Sequence, residues 1–212
     1  MKLSVFGKSM KGNDHQENED AMLIDRKKSL FVVADGLTNP HGGKLASVNS
    51  CKYLQKVFKG DLRDSFLLVN DIIAKERDKK SVGFSTLAAT HVENGLIKVC
   101  NVGDSPIYIA SENRIYRMSA SDRVFGTASL SQAIGQETVN PHYSEEKFGV
   151  GSYAVISTDG VTDVLSKDEI FEIIKKHKVS KNIVYAILKK ANERPTIYQD
   201  DKTIIVIQAK EK

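Results

Sequence analysis

Two kinds of apolar pattern alternate along the chain, and the switches between them divide it into blocks. Ala21–Ile24 and Leu30–Ala34 are short apolar runs on either side of the polar segment Asp25–Ser29, which predicts a hairpin. Leu45, Val48, Cys51, Leu54 or Gln55, and Phe58 then recur at helical spacing until Gly60-Asp61 breaks the pattern. Phe66, Val69, Ile72, Ile73 and Glu76 predict a second helix from Leu62 to Arg77. Strand-like runs return at Thr86–Val92, Leu96–Val102, Ile107–Ala110 and Arg114–Arg117. Their separators, such as Glu93-Asn94-Gly95 and Gly103-Asp104-Ser105, are too short for a crossover helix, so the block reads as an antiparallel meander. Tyr153–Ser157 is one more strand. Ser166-Lys167-Asp168-Glu169 has the form of a capping box and opens a helix through Ile170–Ile174. Ser180 opens another, with Val184, Ile187, Leu188 and Ala191 on one face, and Thr203–Ile207 closes the series as a strand.

Paired helices kept apart from antiparallel strands predict layers, with helices outside and sheets inside. No repeat or low-complexity linker interrupts the chain, so a single domain over residues 1–212 is expected. There is no Trp, which leaves aliphatic side chains to fill the core. The formal net charge of +4 is dispersed and has no base-stacking motif beside it, which argues against a nucleic-acid partner. No run approaches the roughly 18 apolar residues of a membrane helix, and the N-terminus is too interrupted for a signal peptide. Cys51 and Cys100 lack metal-ligand spacing and read as buried free thiols. A cytoplasmic monomer is the default expectation.

The candidate chemistry lies at strand ends. Asp20 precedes one apolar run, in Asn18-Glu19-Asp20, and Asp35 ends the next, in Val33-Ala34-Asp35-Gly36. Asp159 ends a later strand, in Ser157-Thr158-Asp159-Gly160, and Asp200 precedes the last one. Strand ends of a packed sheet pair can meet at one rim. Carboxylates gathered there repel one another and are costly to desolvate, and divalent cations resolve that conflict. Oxygen donors without a His or Cys cluster point to Mg²⁺ or Mn²⁺. The glycines after Asp35 and Asp159 would let the backbone turn sharply and come close to an ion.

Taken in order, these segments resemble the metal-dependent protein phosphatases of type 2C. The resemblance runs from about Gly12 to Ile207. It rests on Asn18-Glu19-Asp20, Val33-Ala34-Asp35-Gly36 with Gly42-Gly43 and Ala46-Ser47, Gly83-Phe84-Ser85-Thr86, Asn101-Val102-Gly103-Asp104-Ser105, the stretch from Ser157 to Asp163, and Asp200-Asp201-Lys202-Thr203. It implies an α+β fold, a four-layer α/β/β/α sandwich of two antiparallel sheets flanked by helix pairs. It also implies a serine/threonine phosphatase acting on phosphorylated proteins through two Mg²⁺ or Mn²⁺ ions. In that scheme Asp35 bridges the ions, the Gly36 carbonyl joins the first, Asp159 and Asp200 bind the second, and Glu19 and Asp20 hold metal-bound waters.

Departures from the family pattern mark individual positions. His15 stands where members carry a phosphate-clamping Arg, with Lys8, Lys11 and Lys44 as the other basic candidates. Leu37 replaces a proposed general-acid His, and His41 is the nearest histidine after it. Asp201 replaces an Asn, where its carboxylate could hydrogen-bond nearby loops or alter metal affinity. The segment from Ser121 to Gly135 is short for the flap that covers the family's active site, and Asp122 matches a flap aspartate that some bacterial members use for a third ion. Two other readings remain at this level: a catalytically weakened interaction module with the same fold, and a two-metal hydrolase acting on nucleic acid.

Overall fold

The computed structural model describes residues 1–13, 16–38, 41–77, 81–127, 129–194 and 197–211. Among these, the elements run β1 (Lys2–Met10), β2 (Ala21–Asp25), β3 (Leu30–Ala34), α1 (Gly43–Val57), α2 (Leu62–Arg77), β4 (Leu87–Glu93), β5 (Leu96–Val102), β6 (Ile107–Ala110) and β7 (Ile115–Arg117). They continue with β8 (His142–Lys147), β9 (Tyr153–Ser157), α3 (Asp159–Thr162), α4 (Lys167–His177), α5 (Ser180–Asn192) and β10 (Lys202–Lys210). The strands form two sheets, in the orders β2-β3-β4-β5-β8 and β1-β10-β9-β6-β7. Every pairing in both sheets is antiparallel.

Continuous apolar runs explain the layering. In β3, Leu30, Val32 and Ala34 pack with α1 and α2, while Phe31 and Val33 face the other sheet. In β10, Ile205 and Ile207 point between the sheets, while Ile204 and Val206 pack with α4 and α5. A strand apolar on both faces must be covered on both, and only four layers do this for two sheets at once. The order is therefore α1/α2, first sheet, second sheet, α4/α5, as the resemblance implied.

Three local features depart from the expected pattern. The buried stripe of α1 runs through Ala46, Ser47, Ser50, Cys51 and Leu54, whereas Leu45 and Val48 are exposed. Small residues bring this helix close to its sheet, so the larger aliphatics turn outward. Strands β1 and β8 carried no clear apolar signal because each is a sheet edge with mixed or polar faces. The turn expected at Asp159-Gly160 is the one-turn helix α3. Elsewhere local chemistry behaves as expected: Asn94 and Gly95 turn β4 into β5 at φ 52° and 74°, and Ser166 and Glu169 form a reciprocal capping box. Cys51 and Cys100 are buried free thiols. No described helix is long and apolar enough to cross a membrane.

Register then fixes where the site can lie. Ala21 pairs with Ala34, Leu87 with Val102, and Ser157 with Ile204. The ends of β3, β5 and β9 thus lie beside the starts of β2, β4 and β10, at one rim.

Asp201 closes this rim. Its Oδ1 accepts from Gly12 N at 2.8 Å and its Oδ2 from Glu19 N at 2.7 Å. At 3% exposure it has little water to fall back on, so the carboxylate ties both ends of the β1–β2 connection to the start of β10. Asp201→Ala leaves two backbone N–H groups without their acceptor and should cost about 2–4 kcal/mol in urea unfolding. Asp201→Asn retains one acceptor and should lose roughly half as much. Equal stability of all three proteins would show that the connection is held by other contacts.

Candidate metal centre

Asp35 leaves β3 on a backbone pinned from one side. Asp35 N donates to Thr86 Oγ1 at 2.9 Å, Thr86 N donates to Asp35 O at 2.7 Å, and Leu37 N donates to Phe84 O at 2.9 Å. Gly36 pairs with Ser85 as an isolated antiparallel bridge. A Cβ on Gly36 would stand 2.3 Å from the Gly43 carbonyl oxygen, so this glycine is required by the approach of α1. Gly160 is equally constrained, since a Cβ there would meet Asp201 O at 2.0 Å. Neither has positive φ, so close backbone packing rather than turn geometry selects glycine at both positions.

The rim encloses a cavity of about 560 Å³ whose lining includes Asp35, Gly36, Thr86, Asp104, Asp159 and Asp200. Two more of the expected residues stand beside it. Glu19 is held by Thr38, whose Oγ1 donates to Glu19 Oε2 at 2.6 Å. Asp20 is buried behind the cavity, where it accepts from Thr158 Oγ1 at 2.9 Å.

Electrostatics show how strongly these groups feel one another. Burial first, then the charges of Asp20, Asp159 and Asp200, hold the Asp35 carboxyl well above the ordinary carboxylate range. Burial pushes Asp20 up to about 7, against the hydrogen bonds it accepts. Asp159 rises to about 6, through burial and then the charges of Asp104 and Asp200. Asp20 Oδ1 and Asp159 Oδ1 are buried with no hydrogen-bond partner. Among the described residues no group of three or more His, Cys, Asp or Glu side chains is, as it stands, arranged to hold an ion. The Asp35 and Asp159 carboxyls lie close enough to hydrogen-bond each other, and Asp159 also meets Arg123, which donates to its Oδ2 at 2.5 Å. The donor set fits a hard divalent cation all the same: the oxygens are crowded, two are orphaned, and no described His or Cys lines the cavity.

The other expected positions fall elsewhere. Asp122 does not line the cavity. Its Oδ2 accepts from Gly103 N at 2.7 Å, and its Oδ1 contacts Gln132 at 3.0 Å and the His142 ring at 2.7 Å. At 7% exposure and with both oxygens engaged, it ties loops together instead of facing an ion as the resemblance implied. His15 lies outside the described residues. His41 is exposed, Lys8 sits over the Tyr185 ring at 4.8 Å, and Lys44 donates to Asp20 O at 3.0 Å.

Two participants carried no role in the sequence. Asp104 lies within a segment the resemblance marked, and Arg123 matched no motif at all. Arg123 donates to Asp104 at 2.7 Å and to both oxygens of Asp163 at 2.9 and 3.1 Å, besides Asp159. Burial works against its charge, but hydrogen bonds to Asp163 and Asp104 prevail and raise its basicity. Its position directly after Asp122 was the one available signal.

Comparison with known proteins agrees with this fold. A putative protein phosphatase of Mycoplasma genitalium is 24% identical, with 88% of each chain covered. The structure of PppA, a key regulatory component of T6SS in Pseudomonas aeruginosa, superposes with a TM-score of 0.89 at 20% identity, covering 99% of this chain and 98% of that one. The catalytic domain of the serine threonine protein phosphatase PstP, in complex with 2 manganese ions, gives 0.84 at 19% identity over 99% of both chains. Residues 25–210 match the family model described as Stage II sporulation protein E, and the chain belongs to that SpoIIE family, on the fold of the type 2C phosphatases.

Proposed function

We propose that the chain is a single-domain, metal-dependent phosphatase that hydrolyses phosphoserine and phosphothreonine esters on proteins. One observation carries this reading: Asp35, Asp159 and Asp200 leave both sheets at a single rim and line one cavity, where burial and mutual repulsion raise the carboxyls of Asp35 and Asp159. The names of the relatives and of the structural neighbours point the same way.

In this reading two ions would be held by Asp35, as their shared ligand, with the Gly36 carbonyl on one side and Asp159 and Asp200 on the other. Glu19 and Asp20 orient waters, Thr38 steadies Glu19, and Thr86 fixes the backbone that carries Asp35. Bound Mg²⁺ or Mn²⁺ would supply the chemistry these side chains lack, lowering the pKa of water and neutralising charge on the phosphoryl group. Attack on phosphorus would be by water, and neither cysteine offers a thiolate for a cysteinyl-phosphate route. Burial pushes Cys51 up to about 12 and raises Cys100 as well. His15 keeps its proposed contact with the substrate phosphate on the resemblance alone. The orphaned buried oxygens favour this reading over a non-catalytic module, which has no use for them.

The first test is phosphate release from a phosphopeptide with Mn²⁺ and with EDTA, in wild type and in Asp35→Asn. Loss of a bridging ligand should lower kcat/KM by about a hundredfold or more, a transition-state loss of roughly 3 kcal/mol. Retention of more than about a tenth of wild-type activity would sink the assignment.

The second concerns pH in the metal-free protein. Carboxyls raised in the folded state stabilise it fully below their unfolded value near 3.8, and that stability drains as pH climbs through about 6 for Asp159 and about 7 for Asp20. Glu169, held at about 2 chiefly by its bond with Lys190, acts in the opposite sense but below this window. The melting temperature in EDTA should therefore fall between pH 4 and 7, and Mn²⁺ should remove most of the slope. A profile unchanged by Mn²⁺ would mean that no ion enters the carboxylate cluster.

A further inference from the structure

The segment after Asp122 carries a cation to two of the acids that line the cavity, Asp104 and Asp159. Asp122 is fixed through its side chain to Gly103, Gln132 and His142, and through its backbone to Gly103 and Ser131. The following residue is thereby set beside Asp104 and Asp159. Arg123 pairs with Leu130 across the segment, and Val124 N donates to Ser129 O at 2.8 Å. Ser129 and Leu130 line the cavity, whereas Val124 and Phe125 are exposed.

All three guanidinium nitrogens are engaged, and with carboxylates from separate places. Nε meets Asp104 from the β5–β6 turn, Nη2 meets Asp159 at the start of α3, and Nη1 meets Asp163 just beyond α3. A planar fork that splays onto three acids at 2.5–2.9 Å does the work of a small cation, and its charge is permanent. Asp159 is divided by this contact. Its Oδ2 belongs to Arg123, while its Oδ1 is buried with no partner.

We infer that Arg123 is a tethered counter-cation of the carboxylate rim: it occupies the space bounded by Asp104, Asp159 and Asp163, and it competes with divalent ions for Asp159. This rests on the reading that Asp159 is a metal ligand. Competition acts in two ways. The same carboxylate cannot serve both partners fully, and a fixed positive charge beside the cavity repels an incoming ion. Arg123 acts through Asp159 and is a positioning residue. It stabilises the rim when metal is scarce and sets how much metal is needed to displace it.

Calorimetric titration with Mn²⁺ tests this in wild type, Arg123→Gln and Arg123→Lys. Gln removes the charge yet can still donate a hydrogen bond, and Mn²⁺ affinity should tighten by about tenfold or more. Lys keeps the charge but reaches fewer acids, so it should fall between the two. In EDTA, Arg123→Gln should melt below wild type, and saturating Mn²⁺ should close that gap. If wild type binds Mn²⁺ and Arg123→Gln binds it with equal or weaker affinity, the inference is overturned while the metal site stands. If neither protein binds Mn²⁺, the inference and the metal reading fail together. Tighter binding in Arg123→Gln, in a protein that releases no phosphate from a phosphopeptide, supports the inference and removes only the proposed reaction.

Discussion

Repulsion between carboxylates is the constraint around which the rim is built. Asp20, Asp35, Asp159 and Asp200 arrive on different strands, and each raises or is raised by others of the set. Nothing in folding by itself favours this gathering. The two sheets deliver it because their central strands are apolar on both faces and can be satisfied only in one register. The stability of the buried layers is spent on holding four like charges in a place where water would otherwise separate them. The loops around such an arrangement must be restrained against the same repulsion.

Those restraints come from single side chains. Asp201 gathers the backbone at Gly12 and Glu19, Thr86 gathers Asp35, and Asp122 gathers the 103 turn with β8. Each is a polar group with little solvent access, so each hydrogen bond has no ready substitute in water. Arg123 belongs to a different kind. It neutralises charge where the others only position it.

The layers could be read from the sequence because they depend on local pattern. Leu30–Ala34 and Thr203–Ile207 announce strands buried on both faces, and Ser166 with Glu169 announces a helix start. The edge strands β1 and β8 could not be read so easily, since their half-polar faces carry no period strong enough to stand out. The stripe on α1 was misplaced because small residues, not large ones, face the sheet. At the rim, the acidic residues announced themselves by sitting at strand ends. What Asp122 and Arg123 do depends on long-range partners such as His142 and Asp163, and no spacing along the chain encodes those meetings. Asp201 falls between these cases: its departure from the family pattern marked it, and the structure supplied the two amides it binds.

The position of β10 has a consequence for the order in which the molecule can be made. This is the last of the described strands, yet it lies between β1 and β9 within its sheet and begins just after Asp200 and Asp201. During synthesis β1 emerges well before β10, its pairing partner among the described strands, and waits until residues 202–210 have cleared the ribosome. The first sheet, β2 to β8, can be completed earlier, because all its strands precede residue 148. A nascent chain can therefore display half of the carboxylate rim without the other half. The two halves of the rim meet only once β10 has taken its place between β1 and β9.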